Sequence, residues 1–382
     1  MEAIFGQIRQ IANTLDCTAK SSLIRDLHTL AHSLESVDDT VKRISHLHEE
    51  AAVIRVGIDL KLFDILEARK APLSLDEIVK TTGGDGQLIG RLMRFLASVA
   101  VIEETGKDVF SATNVTKNLV VEGSQAGVCH GFETSGPMYQ MLPEFLKKTN
   151  YQNPKDSFHT VFQDAFNFPG SAFEWFGQNP KNLGYYQEYM AGRRQSVQEM
   201  WMSVYPIESE TKELDPKAPL LVDIGGNIGH NCVHFKTMFP NIPGRIILQD
   251  LPENIKAALS TPGVEPMVYN FFEPQPIKDA KYYYLAHVLH DWPDDKCREI
   301  LRNTKAGMGE NSVILIDEMI LPDTGVSMNV TTIDLEMMCA HASQERTQSQ
   351  WDDLLATVGL KRIETWVYNA PVYESVMKVV QA

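Results

Sequence analysis

The sequence predicts a doubly wound α/β domain in the carboxyl-terminal part of the chain, preceded by a helical domain that ends in a winged helix. Three observations predict it. From residue 218 onward, short apolar strands alternate with helices, the pattern of a largely parallel sheet. The first of those strands runs into a glycine turn, LVDIGGNIGH, and the next strand ends in an aspartate. The first 120 residues read as helices, then helix–turn–helix, then an alternating hairpin.

The elements follow in order. IFGQIRQIANTL and LIRDLHTLAHSL place apolar residues three and four apart, and HLHEEAAVIRVGIDLKLFDILEA continues the helical pattern. Ser74 precedes Glu77 by three residues, the capping-box spacing, and so opens a helix. DGQLIGRLMRFLASVAVIEE is a second helix with a wide apolar face, and GKDVFSATNVTKNLV alternates like a hairpin. Residues 1–120 are therefore read as a winged-helix domain, and 121–382 as a helical linker followed by a Rossmann-like domain.

A winged helix raises the question of nucleic acid. The second helix carries only Arg91 and Arg94 as cations, and the wing only Lys107 and Lys117. A DNA reader needs a denser basic stripe. The formal net charge of -15 also opposes binding to nucleic acid or an anionic membrane surface. A packing or dimerisation module is the better reading, and an apolar helical region of this length predicts a homodimer.

The amino-terminal stretch carries Glu2, Arg9 and Asp16, too much charge for a signal peptide, and no apolar run is long enough to span a bilayer. The five cysteines include no CxxC pair and are odd in number, which suits reduced thiols in a cytoplasmic protein. Residues 125 to about 210 are rich in aromatics and methionine, among them Met138, Phe173, Trp175, Tyr186, Tyr189 and Trp201. Such residues serve either a core or a pocket for a flat ligand.

In the strand–helix part, Gly225 and Gly226 allow a tight turn and close approach of a ligand, and Gly229 lets the following helix pack on the sheet. Asp250 lies 25 residues beyond Gly225 and can grip ribose hydroxyls or cap the next helix. These features favour a nucleoside cofactor without separating a nicotinamide from S-adenosylmethionine.

The stretch YYYLAHVLHDWPDD reads as a buried strand ending in His290, at the ligand edge of the sheet. Glu318 ends a later strand and Glu345 precedes a later helix, so neighbouring strands would bring both acids to the histidine. A neutral imidazole can take a proton from a phenol whose pKa is near 10, and carboxylates orient and stabilise the imidazolium. No metal is expected: HExxH and Cys/His clusters are absent, and His287 and His290 would face opposite sides of a strand.

LVDIGGNIGH, LQDLPE, LHDWPDDKCREIL, DEMILP and ERTQSQWDDLL resemble, in kind and order, the motifs of the S-adenosylmethionine-dependent O-methyltransferases of the caffeic acid type, especially those of fungal secondary metabolism. The resemblance covers nearly the whole chain. It implies a winged-helix dimerisation domain joined to a Rossmann-like methyltransferase domain, and a small aromatic or polyketide-type acceptor. It implies that His290 is the general base, held by Glu318 and Glu345. Asp223, Gly225, Gly226, Asp250 and Leu251 would bind the methionine portion and ribose, while Asn270 and Phe271 would meet the adenine. Three positions depart from the family: Asn227 replaces a third glycine, Asn270 replaces an acid, and Ala286 stands where a basic residue is frequent.

A second branch of the family keeps the fold and cofactor but forms rings by dehydration and pericyclic reaction. VCHGFETSGPMYQMLPEFL resembles its substrate region, with His130 at the place of its catalytic histidine. That branch carries a basic residue in place of the methyltransferase histidine, so the pair His290–Asp291 favours methyl transfer. His130 is equally readable as an ordinary helix histidine.

Overall fold

Local capping signals set the helices of the amino-terminal part. The Ser74 hydroxyl accepts from the Glu77 amide and the Glu77 carboxylate accepts from the Ser74 amide, so the helix Leu75–Thr82 opens on the expected capping box. The Asp85 carboxylate caps the helix Gly86–Ser98, whose Ile89, Met93 and Leu96 are buried. The computed structural model describes residues 2–195, 200–212 and 214–382. It divides into two units, Met1–Glu133 with Gly184–Gly192, and Thr134–Leu183 with Arg193–Ala382.

In the first unit a small sheet pairs Val109–Ala112 with both Leu73–Ser74 and Ile102–Gly106. Its core joins Phe63, Leu66, Ile78, Met93 and Phe110. The expected hairpin is shorter than the alternation suggested. Asn114–Asn118 is a helix, because the Thr113 hydroxyl accepts from the amides of Val115 and Thr116 and turns the chain.

The second unit is built on a seven-stranded sheet. Its strands are β1 (Pro219–Ile224), β2 (Arg245–Asp250), β3 (Val264–Val268), β4 (Tyr282–Ala286), β5 (Val313–Met319), β6 (Leu360–Asn369) and β7 (Glu374–Gln381). They lie in the order β3-β2-β1-β4-β5-β7-β6. The first five are parallel and β7 is antiparallel to both neighbours. Both faces are covered, which explains the unbroken apolar and aromatic runs. Tyr283 and Leu285 pack on one face with Ile300 and Trp351, and Tyr282 and Tyr284 on the other with Trp201 and Phe235. Trp201 is fully buried 4.9 Å from Tyr284, so it belongs to the core.

Strand order reverses between β1 and β4, the crevice where such sheets bind ligands. Above that sheet, the helices Gly136–Lys148, Val161–Phe166 and Ala172–Gln178 pack an apolar cluster of Met138, Phe145, Phe162 and Trp175 against Met338 and Cys339. Among the described residues, no helix is long and apolar enough to cross a membrane.

Candidate active site

The turn after β1 is shaped by its lack of side chains. Gly225 has φ +70, and a Cβ there would meet Val288 Cγ2 at 3.0 Å and the Phe271 ring at 3.7 Å. A Cβ on Gly226 would lie 2.5 Å from the Asp223 carboxyl carbon. The amides of both glycines donate to the Gln249 carbonyl, at 2.8 and 3.2 Å, which ties the turn to β2. Asn227 adopts φ 54, a left-handed conformation that asparagine tolerates, so the missing third glycine is accommodated.

Asp250 ends β2 beside this turn. Its Oδ2 accepts from the Asn227 amide at 2.7 Å, and its Oδ1 from the Leu251 amide at 2.7 Å and Asn254 Nδ2 at 2.8 Å. A carboxylate offers about four acceptor positions, so about one remains for a ribose hydroxyl rather than the two a bidentate grip would need. Leu251 leaves its side chain half-exposed at the same rim. Asn270 Oδ1 accepts from the Phe272 amide at 3.1 Å, a local turn that fixes the loop after β3. Phe271 stands edge-on to Trp292, with ring centroids 5.8 Å apart.

Asp223 lies beneath the turn, fully buried. Cys232 Sγ donates to its Oδ2 at 3.3 Å, and its Oδ1 has no hydrogen-bond partner. Burial pushes this carboxyl up to about 7. A side-chain-free turn at the switch point, a carboxylate on the next strand and an aromatic face fit a nucleoside cofactor.

Strand β4 ends earlier than the sequence pattern suggested. Its last residue is Ala286, His287 takes φ 50, and Leu289–Asp291 forms a single 3-10 turn that carries His290. The two histidines therefore do not face opposite sides: their ring centroids are 5.7 Å apart. The reversal at His287 overrides strand periodicity.

Three carboxylates surround His290. Its Nδ1 is 2.8 Å from Glu345 Oε1, and its Nε2 is 3.5 Å from Asp291 Oδ1. Glu318 is placed by the pairing of Ala286 with Asp317, one residue before it on β5. Its Oε1 accepts from the backbone amides of Leu289, at 2.9 Å, and His290, at 3.3 Å. Glu318 thus holds the turn, whereas Glu345 holds the ring. Glu345 reaches the site because its loop is stitched to the end of β5: the Leu321 amide donates to the Arg346 carbonyl and the Gln348 amide to the Leu321 carbonyl.

The electrostatics follow from burial and crowding. Burial opposes a charge on His290, but Asp291, Glu318 and Glu345 outweigh it and raise the imidazole to about 10. Burial pushes the Glu318 carboxyl up to about 8. Sequence reasoning missed Arg346, although it sits beside Glu345. Its guanidinium is buried and donates to the carbonyls of Leu289 and Trp292, each at 3.1 Å, and to Asp294 at 2.8 Å.

His130 belongs to the first unit. It ends the helix Glu122–His130, is buried, and stacks on Tyr189 with centroids 6.1 Å apart. A π-helical turn, Gly131–Ser135, follows it.

The glycine turn and the histidine–carboxylate group thus follow the ends of two adjacent strands, β1 and β4. Residues 142–361 match the model of the O-methyltransferase domain, and residues 44–122 that of the O-methyltransferase dimerisation domain. The chain belongs to the O-methyltransferase family. It is 40% identical to O-methyltransferase ucdC of Aspergillus ustus over 381 residues, covering 100% of both chains. It is 39% identical to demethylsterigmatocystin 6-O-methyltransferase of Aspergillus parasiticus over 371 residues, 97% of this chain and 95% of the relative. The structure of LepI in complex with SAM matches with a TM-score of 0.86 at 35% identity, covering 100% of this chain and 98% of that one.

Proposed function

We propose that this O-methyltransferase moves a methyl group from S-adenosylmethionine to a phenol or enol hydroxyl of a small aromatic or polyketide-type metabolite, with His290 as the proton acceptor. The observation that carries the proposal is the His290 ring, bonded by Glu345 at 2.8 Å and seated on the turn after β4, next to the strand that leads into the glycine turn.

The cofactor, when bound, supplies an electrophilic methyl group on a positively charged sulfur. Gly225 and Gly226 would give it room, Asp250 would accept from the ribose, and Phe271 would flank the base. His290 takes the hydroxyl proton as the acceptor oxygen forms its bond to carbon. Only the neutral ring can take that proton. Because the carboxylates raise the imidazole to about 10, the base form is the minor one at neutral pH and gains ground as pH rises, while the imidazolium formed on transfer is stabilised. Glu345 keeps the ring aimed, and Glu318 keeps the turn that carries it in place.

The relatives support the acceptor class: one acts, by its name, on demethylsterigmatocystin at the 6-hydroxyl. A homodimer belongs to the same proposal, supported by the dimerisation-domain match. So does a cytoplasmic location, supported by the free thiols of Cys129, Cys232, Cys297 and Cys339.

The test is mass spectrometry with methyl-labelled cofactor and candidate polyphenolic acceptors. The expected product is heavier by the labelled methyl in place of hydrogen, with one S-adenosylhomocysteine formed per turnover. Ring closure without a mass gain from the cofactor would instead assign the chain to the pericyclic branch and overturn the proposal.

A further inference from the structure

The catalytic ring belongs to a set of donors that also includes His287, a residue methyl transfer does not use. One ring nitrogen each from His287 and His290 and one oxygen of Glu318 lie within 4.8 Å of one another. His287 Nδ1 is 3.8 Å from Glu318 Oε2. That oxygen is buried and has no hydrogen-bond partner, while its twin, Oε1, is fixed by two backbone amides. A buried acceptor without a donor is costly unless something occupies it.

We infer that His287, His290 and Glu318 form a binding site for a transition-metal dication of the zinc or cobalt class, and that such an ion switches the active site off. Two imidazoles and one carboxylate suit borderline metals, whereas magnesium and calcium select oxygen-only sites. Tetrahedral bonds near 2.1 Å hold ligand atoms about 3.4 Å apart. The present spread closes to that by rotation of His287, whose side chain is 42% exposed.

The surroundings match what such an ion requires. A ligating histidine is usually oriented by a carboxylate on its other ring nitrogen, and Glu345 bonds the His290 ring in that manner. Asp291 and Glu345 place negative charge beside His290, which favours a dication. Three protein ligands leave a fourth position for water or for an acceptor oxygen. The inhibitory consequence rests on the proposed role of His290: a ring nitrogen committed to a metal cannot take the acceptor's proton.

The experiment uses chelator-treated, full-length protein without cofactor or acceptor. Cobalt(II) is titrated and followed by its visible absorption. The expected result is one ion per chain, displaced by zinc and unaffected by excess magnesium. His287→Asn keeps the left-handed backbone at that position. It should weaken binding at least about tenfold, retain methyl transfer and escape zinc inhibition. No absorption at stoichiometric cobalt, or equal affinity in His287→Asn, overturns the assignment, the latter pointing to exposed histidines such as His159. Because binding is read without turnover, failure of the methyl-transfer reading and failure of the metal site are told apart.

Discussion

Nδ1 of His290 and Oε1 of Glu345 are 2.8 Å apart, although the two residues lie 55 positions apart in the chain. The Glu345 side chain is only 1% exposed, so water does not compete for this bond. Glu345→Gln removes the charge but keeps the shape. An amide that turns its NH2 toward Nδ1 selects the opposite tautomer, with the proton on the nitrogen that should receive one. The expected loss in kcat is about 100- to 10,000-fold, with cofactor affinity by calorimetry unchanged. A kcat within a few-fold of the parent would remove Glu345 from the mechanism.

The proton affinity of His290 is a separate prediction. Three carboxylates hold it up to about 10 against the opposing effect of burial. In the cofactor-free protein, NMR of labelled histidine should find one imidazole titrating well above the ordinary value of about 6.5. Asp291→Asn should bring that titration down. The native state binds the extra proton, so its stabilising effect is complete below about pH 6.5 and fades as pH rises through about 10. The Glu318 carboxyl, raised to about 8, acts in the same direction: the native state keeps its proton longer, and stability falls as pH climbs from about 4.5 to 8. Melting temperature should therefore drop from pH 6.5 toward 10, and less steeply in Asp291→Asn. A flat profile in both proteins contradicts the assigned proton.

Arg346 is a positioning residue. Its guanidinium donates to the carbonyls of Leu289 and Trp292, on either side of His290, and also to Asp294. Arg346→Met removes the charged donor from both carbonyls and leaves them the weaker Cys297 thiol and, at Leu289, the Trp292 amide, at a cost of about 1–3 kcal/mol in unfolding free energy. Lysine is a poor substitute because it lacks the planar fork. A purely structural role would lower stability alone. Positioning of His290 also predicts a fall in kcat at temperatures well below melting, with KM for the acceptor little changed.

How much of this was legible beforehand depends on the range of the interactions. The strand–helix alternation, the glycine turn and the Ser74–Glu77 cap are local, and each appears where the pattern placed it. The convergence of His290 with Glu318 and Glu345 needed only the topology of neighbouring strands. What was not legible depended on single backbone angles and on register. One left-handed residue, His287, turns a strand into a 3-10 turn and brings two histidines to one side. Whether Glu318 grips the ring or the backbone is decided by its offset from Ala286 across β4 and β5. Trp201 reads as a pocket residue or a core residue with equal ease until the sheet face beneath it is known.

The glycine turn offers the sharpest contrast between residues of one type. Gly225 combines φ +70 with a Cβ position 3.0 Å from Val288 Cγ2. Gly225→Ala therefore meets left-handed strain of about 1–2 kcal/mol and pushes on the segment that leads to His290. A shift in that segment narrows the crevice, so affinity for S-adenosylhomocysteine should fall about tenfold or more if the strain is met by the loop. Gly177, in the helix Ala172–Gln178, has nothing within 4 Å of an added Cβ and an ordinary helical backbone. Gly177→Ala should leave that affinity unchanged and stabilise the protein by about 0.5–1 kcal/mol. Calorimetry and thermal melts on the two variants separate the cases: equal affinities for both would mean that the turn after β1 does not hold the cofactor.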